Sequence, residues 1–248
     1  MLRVGRIPYL NCEPFFHRLE QVELVDLIPR RLGEVMAAGQ LDAGPLSLID
    51  YLRIETQLTP LPYGIGCPAA ARSVLVFSDR PFSALAGARV GITEETSTSV
   101  ELLRVLLALR YEVEPAAWVT ADEPCDAVLL IGDQAIRRVA GGPVARYVTD
   151  LGLEWRDWTG LPFVFARWAV ASRVPARERR AFEQALDSAL DRGLAALPQI
   201  AAGRRGLGWS EAQVESYLRN FAFRLGPDEE KGAAEFVRLR SVIGPLPC

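Results

Sequence analysis

Phe163-Val-Phe-Ala-Arg-Trp-Ala-Val-Ala171 is the stretch on which the fold turns. It is a run of apolar, β-branched and aromatic residues, reading as a strand long enough to cross from one domain to another. Around it the chain changes character. Upstream, Ser73 to Phe77, Arg89 to Thr93, Asp126 to Ile131 and Ala145 to Val148 read as strands, and Ser97 to Leu109 and Gln134 to Val139 as helices between them. Further back, strands at Leu2 to Ile7, Val22 to Ile28 and Leu41 to Gly44 alternate with helices at Cys12 to Glu20, from Pro29 through Leu32, Val35 and Met36, and at Ser47 to Ile54. Such alternation implies an α/β protein with largely parallel sheets covered on both faces. The Pro- and Gly-rich segment Thr59 to Cys67 reads as a loop.

Downstream of Ala171 only helices are expected, three of them. Pro175 opens one whose apolar positions are Phe182, Leu186, Ala189, Leu190 and Leu194, Ser210-x-x-Gln213 is a capping box for the second, and Pro227 with Asp228, Glu229 and Glu230 makes a first turn whose acids suit the helix dipole. Strands before and helices after a central block predict a discontinuous domain: residues 1–80 plus 170–248 form lobe 1 and 81–169 lobe 2. Two crossings make a hinge, and a cleft between lobes is the default ligand site.

Composition narrows the chemistry. The 248 residues carry 28 Lys and Arg against 31 Asp and Glu, a net charge of −3, with half the residues hydrophobic. Disorder, nucleic-acid binding and charge-driven membrane attachment are therefore poor fits. This length predicts one or two domains, burying roughly 70 to 75% of the extended chain's surface. His17 is the one histidine and Lys231 the one lysine. A Ser-His-Asp triad, a histidine-rich zinc site or a lysine Schiff base would each hang on one residue with no supporting motif. Cys12, Cys67, Cys125 and Cys248 form no CxxC pair and read as free thiols of a reducing compartment. The opening MLRVGRIPYLN lacks the apolar core of a secretory signal, and no stretch reaches membrane-spanning length, so a cytoplasmic location is expected.

Several polar groups fall at expected strand ends, where ligands of open α/β sheets gather. Asn11 follows the first strand and reads either as a turn or cap residue or as a ligand group. Ser47 closes Gly44-Pro-Leu-Ser47, and Gly160-Leu-Pro162 precedes the crossing strand. Ser97, Thr98 and Ser99 join a strand to a helix, where free N–H groups and hydroxyls could hold a carboxylate or simply cap the helix; Thr98-x-x-Glu101 fits a capping box. Glu94 and Glu95 beside them argue against phosphate. Asp133 suits a general base, a metal ligand or, more simply, a cap. Asp42, Asp50, Glu13 and Tyr9 are further acid-base candidates, but no spacing among them demands catalysis. Trp155, Trp158 and Trp168 read as core or rim, and there is no phosphate-binding glycine loop.

Ile7-Pro-Tyr-Leu-Asn11, Leu41-Asp-Ala-Gly-Pro-Leu-Ser47, Arg72-Ser-Val-Leu-Val-Phe-Ser78, Thr96-Ser-Thr-Ser-Val100, Leu129-Leu-Ile-Gly-Asp133 and Trp158-Thr-Gly-Leu-Pro-Phe-Val-Phe-Ala166 occur in order. Together they resemble the chorismate dehydratases of menaquinone biosynthesis by the futalosine route. The resemblance implies a two-lobed, periplasmic-binding-protein-like (type 2) α/β fold with a ligand cleft between lobes. It implies a carbon–oxygen lyase that converts chorismate, a small dicarboxylate, to 3-[(1-carboxyvinyl)oxy]benzoate and water. It implies no cofactor and no metal, and no nucleic-acid or membrane partner, and leaves the oligomeric state open. By the same resemblance Asn11 is the residue at the reacting centre, and Ser47, Ser73, Ser97, Thr98, Ser99, Thr159 and Gly160 contact the substrate. The alternatives are a small-carboxylate solute-binding or sensing protein of the same fold, and the related 1,4-dihydroxy-6-naphthoate synthase, where an active-site histidine would be expected.

Overall fold

A computed structural model of the chain describes residues 1–142 and 145–244; Cys248 lies outside the described residues. The chain runs through β1 (Leu2–Arg6), α1 (Glu13–Phe16), β2 (Val22–Asp26), α2 (Pro29–Ala37), β3 (Ala43–Ser47), α3 (Leu48–Ile54) and β4 (Leu58–Cys67). It continues with β5 (Val74–Ser78), β6 (Arg89–Ile92), α4 (Thr98–Val105), β7 (Ala117–Thr120), β8 (Ala127–Ile131), α5 (Gly132–Ala140), β9 (Tyr147–Asp150), α6 (Leu151–Thr159) and β10 (Phe163–Ala171). After these come α7 (Ala176–Ala195), α8 (Leu197–Gly203), α9 (Glu211–Arg219), β11 (Ala222–Arg224) and α10 (Pro227–Val242). The chain divides into two compact units, 1–66 with 165–225, and 67–164 with 226–248.

The first unit is built on a sheet of order β11-β4-β10-β3-β1-β2. β1 runs parallel to β2 and β3, while β10 is antiparallel to β3 and β11 to β4. Parallel pairing thus holds for the βαβ part; the strands that leave or re-enter the unit are antiparallel. β10 buries Trp168, against which α1 sets Phe15 and Phe16 at ring separations of 5.4 and 5.5 Å. α7 crosses α1 at Gly193, where a Cβ would stand 2.1 Å from the Pro14 carbonyl, so only glycine allows this approach.

The segment expected to be a loop is strand β4. Leu58, Leu61, Tyr63, Ile65 and Cys67 are buried while Pro60 and Pro62 face outward, a period that the prolines mask in the sequence. Proline is tolerated because β11 is short and the adjoining Leu225 donates to the Pro62 carbonyl, which needs no proline N–H. Gly64 lets β10 close in: a Cβ there would lie 2.3 Å from the Ala166 carbonyl.

The second unit has a sheet of order β7-β6-β8-β5-β9, with β6 parallel to β7 and β8, and β5 antiparallel to β8 and β9. Leu75 and Phe77 of β5 pack on Ala135 of α5. This corrects the expected division at 80 and 170. β5 pairs with β8 and β9 and so belongs to the second sheet, and the switch points fall at 66/67, 164/165 and 225/226.

The end of the chain is corrected too. Among the described residues four helices and the strand β11 follow Ala171, and the last helix joins the second unit. Phe236 of α10 lies 5.0 Å from Phe163 and 6.1 Å from Trp155, and Gly232 meets the Pro162 carbonyl where a Cβ would stand 2.0 Å away. The Ser210–Gln213 capping box is present, with bonds of 2.8 and 3.3 Å. The first helix is shorter than expected, Glu13–Phe16 after a 3₁₀ turn at Leu10–Cys12. The helix after Ser97 continues as a π-helical turn over Leu106–Arg110.

Candidate functional site

In the first unit the register brings two sequence-predicted residues to one end of the sheet. β1 and β3 are parallel with Val4 opposite Ala43, and Ala166 pairs with Ser47. The turn after β1 and the end of β3 therefore share an edge. Asn11 sits in the 3₁₀ turn, which the Cys12 N–H closes onto the Tyr9 carbonyl at 3.0 Å. The neighbours Leu10 and Cys12 are buried, and α1 just beyond is anchored by Phe15 edge-on to Trp168 and Phe223. That scaffold leaves Asn11 with a buried Oδ1 that has no hydrogen-bond partner among the described residues. Most buried polar atoms are paired, so one left open at a strand end calls for a reason.

Ser47 is differently employed. Its hydroxyl donates to Asp50 Oδ2 at 2.7 Å and accepts from the Asp50 N–H at 3.2 Å, capping α3. Asp50 is held further by Arg53 at 3.0 Å. Asp42 is likewise occupied, by the Arg3 N–H and the Arg173 guanidinium, and Glu13 pairs with Arg204. His17 ends α1.

In the second unit, the antiparallel pairing of Val74 with Ile131 and of Leu75 with Asp150, and the parallel pairing of Ile92 with Leu129, put four segments at one edge. These are Arg72–Ser73, the Thr93–Ser99 turn, Gly132–Gln134 and the start of α6. Thr93, Thr96, Ser97, Thr98 and Ser99 are all buried there, an unusual density of hydroxyls. Thr96 Oγ1 accepts from the Ser99 N–H at 3.1 Å, so Thr96 does the capping. Ser97 stands at the N-cap of α4, 7% exposed, yet its Oγ has no hydrogen-bond partner among the described residues. Glu94 is exposed.

The predicted Thr98–Glu101 box is corrected: Thr98 is already inside the helix, and Glu101 accepts from Arg104 at 2.9 Å and Arg240 at 3.0 Å instead. Ser73, 1% exposed, directs its hydroxyl to the Ala71 carbonyl at 3.4 Å, and its own carbonyl accepts from Gly132 at 2.7 Å. Asp133 lies in the first turn of α5 and is not its cap; Arg137 approaches it at 4.0 Å.

Thr159 and Gly160 are not brought to this edge by α6. The helix starts there, and Thr159 lies about 12 Å further along its axis at 1.5 Å per residue. Thr159 donates to the Trp155 carbonyl at 2.9 Å and accepts from Leu161 at 3.1 Å, and Gly160 at φ +72° ends the helix. Trp155 and Trp168 are core, as read from sequence.

Asp150 is a further functional candidate that the sequence marks only by its place directly before a helical pattern, a cap signal. Its carboxylate accepts from Ala71, Arg72, Gly152 and Leu153 N–H groups at 2.6–3.1 Å. Burial lifts its pKa above the usual carboxylate range, against the lowering effect of those four donors. Among the described residues no three His, Cys, Asp or Glu side chains gather to hold a metal ion, and no helix is long and apolar enough to cross a membrane.

Two α/β units joined by three chain crossings, each with polar turns at strand ends, have the periplasmic-binding-protein-like fold. The alkanesulfonate-binding protein SsuA of Xanthomonas axonopodis pv. citri, solved bound to MOPS, superposes with a TM-score of 0.68 at 17% identity over 98% of this chain and 94% of its own. A solved protein of Archaeoglobus fulgidus superposes with a TM-score of 0.77 at 16% identity over 97% of each chain. Residues 2–241 match the Menaquinone biosynthesis family, and the chain belongs to it. The chorismate dehydratase of Thermus thermophilus is 32% identical, over 94% of this chain and 93% of its own.

Proposed function

We propose that this protein is a chorismate dehydratase, removing water from chorismate to give 3-[(1-carboxyvinyl)oxy]benzoate in the futalosine route to menaquinone, in the cytoplasm. The observation that carries the reading is a pair of buried oxygens without partners, Asn11 Oδ1 and Ser97 Oγ, in the motifs that resemble the family. Kinship to the Thermus enzyme supplies the substrate. A ligand group that bonds to either oxygen at its own strand-end edge would recover the cost of leaving it open.

Chemically, the ring loses its hydroxyl and a neighbouring hydrogen and becomes aromatic. The step runs downhill with no change in oxidation state, so neither a redox cofactor nor a metal is needed. The protein's task is to fix one pose, exclude water and suppress rearrangement and pyruvate loss. Asn11 offers both an amide N–H to the departing hydroxyl and an acceptor to the enolpyruvyl side. An amide is no base, so the ring proton needs another acceptor, for which a carboxylate of the substrate itself is within reach. The Ser97-Thr98-Ser99 turn at the start of α4 suits a substrate carboxylate, with Ser73 beside it, because the helix dipole and hydroxyls favour an anion. Ser47 acts through the α3 cap, and Thr159 with Gly160 through the shape of the chain leading into β10.

The test is purified protein with chorismate, no metal or cofactor added, followed by NMR and mass spectrometry. A product lighter by one water with a 1,3-disubstituted benzoate pattern is expected. Unchanged chorismate with folded protein would overturn the reading and favour a carboxylate-binding or sensing protein of the same fold.

A further inference from the structure

We infer that Asp150 is a positioning residue for substrate binding, holding the Arg72–Ser73 turn in its working conformation. The inference rests on the dehydratase reading and goes beyond it, to a residue outside the motifs that resemble the family. Asp150 is the last residue of β9 and the N-cap of α6. Helix capping accounts for two of its bonds, from Gly152 at 2.9 Å and Leu153 at 3.1 Å. The other two reach across 78 and 79 residues of sequence, from Arg72 at 2.6 Å and Ala71 at 2.9 Å, and a cap has no use for them.

Those two bonds meet a strained backbone. Arg72 has φ +60°, a conformation that costs a non-glycine residue about 1–3 kcal/mol and persists only when its surroundings dictate it. Asp150 dictates it from the N–H side. The Ser73 carbonyl is tied at the same time to the Gly132 N–H at 2.7 Å. A third restraint is steric, because a Cβ on Gly152 would lie 2.9 Å from the Ala69 carbonyl and 2.9 Å from Cys67 Sγ, so α6 is pressed against the turn. The buried hydroxyl of Ser73 is thereby held at the edge that also carries Ser97. A carboxylate next to an anion site would normally repel the ligand. Here four N–H dipoles engage it, so it can orient the turn without opposing the anion.

Two variants separate positioning from simple stabilisation. Asp150→Ser keeps an N-cap hydroxyl for α6 but cannot span to Ala71 and Arg72. Gly152→Ala keeps Asp150 and displaces the same turn. The measurements are Tm, far-UV circular dichroism, and kcat and KM for chorismate. Both variants are expected to fold, with KM raised at least tenfold and kcat changed less than threefold, and Asp150→Glu is expected to recover part of the loss. Folded Asp150→Ser protein with wild-type KM would overturn the inference while leaving the dehydratase reading intact. Wild-type protein that leaves chorismate unchanged would remove both.

Discussion

Replacing Asn11 by alanine separates a structural asparagine from a functional one. Among the described residues Asn11 Oδ1 is buried with no hydrogen-bond partner. An unsatisfied buried acceptor costs about 1–3 kcal/mol, so deleting it removes a penalty. Alanine keeps the Cβ and suits a helical turn better than asparagine by a few tenths of a kcal/mol. Against this stands the lost packing of one half-buried amide, about 1 kcal/mol. The net effect on the ligand-free protein is therefore between zero and about 2 kcal/mol of stabilisation, or a Tm unchanged to about 8 °C higher for a chain of this size. Turnover should move the other way, falling about 10² to 10³-fold, as for loss of one preorganised hydrogen-bonding group at a reacting centre. Differential scanning calorimetry without ligand and a chorismate-loss assay on the same preparation give both numbers. A Tm lowered by several degrees would mean that the turn needs its asparagine, and undiminished turnover would remove it from the reaction; either result refutes the reasoning.

Thr96→Val should cost about 1 kcal/mol of stability by removing the cap on the Ser99 N–H, whereas Ser97→Ala should cost nothing in stability and raise KM for chorismate; chemical denaturation and steady-state kinetics distinguish them. Glu101→Ala leaves the Arg104 side chain, 7% exposed, without its carboxylate, and should destabilise by about 3–5 kcal/mol, a Tm loss of roughly 6 to 20 °C; a loss under about 1 kcal/mol would contradict it. Burial, followed by the hydrogen bond to Asp187, pushes Tyr63 up to about 12, and burial with Glu154 does the same for Tyr111. Because the folded value lies above the unfolded one near 10, the stability linked to these phenols is present below pH 10 and is lost as pH rises from 10 towards 12. Tyrosine absorbance should show two groups ionising near 12, and Tyr63→Phe should remove one of them.

The alternation of strands and helices was legible because each element carries its own period: Val74–Ser78 is buried along its whole length, and Phe182, Leu186 and Ala189 recur at helical spacing. Local chemistry was equally plain where donor and acceptor lie three residues apart, as in Ser210 and Gln213. Asn11 and the Ser97 turn were visible as polar residues at strand ends. Strand β4 was hidden because its prolines look like punctuation until β11 and β10 show which backbone groups have to pair.

What only the tertiary structure decided is partner choice at long range. Thr98 stands three residues before Glu101, as a capping box requires, but Glu101 accepts from Arg104 of its own helix and from Arg240 of α10 instead. Asp150 reads as one more helix cap until Ala71 and Arg72, from the segment leading into β5, arrive beside it. The same holds for the domain boundaries: hydrophobic pattern tells a strand from a helix, but which sheet β5 and α10 join depends on close contacts such as Gly232 against Pro162. Sequence alone determined the elements, the missing chemistries and the polar residues at strand ends, because those follow from each segment's own composition and period. The neighbours of each segment follow from packing, and packing is settled by surfaces that come from distant parts of the chain.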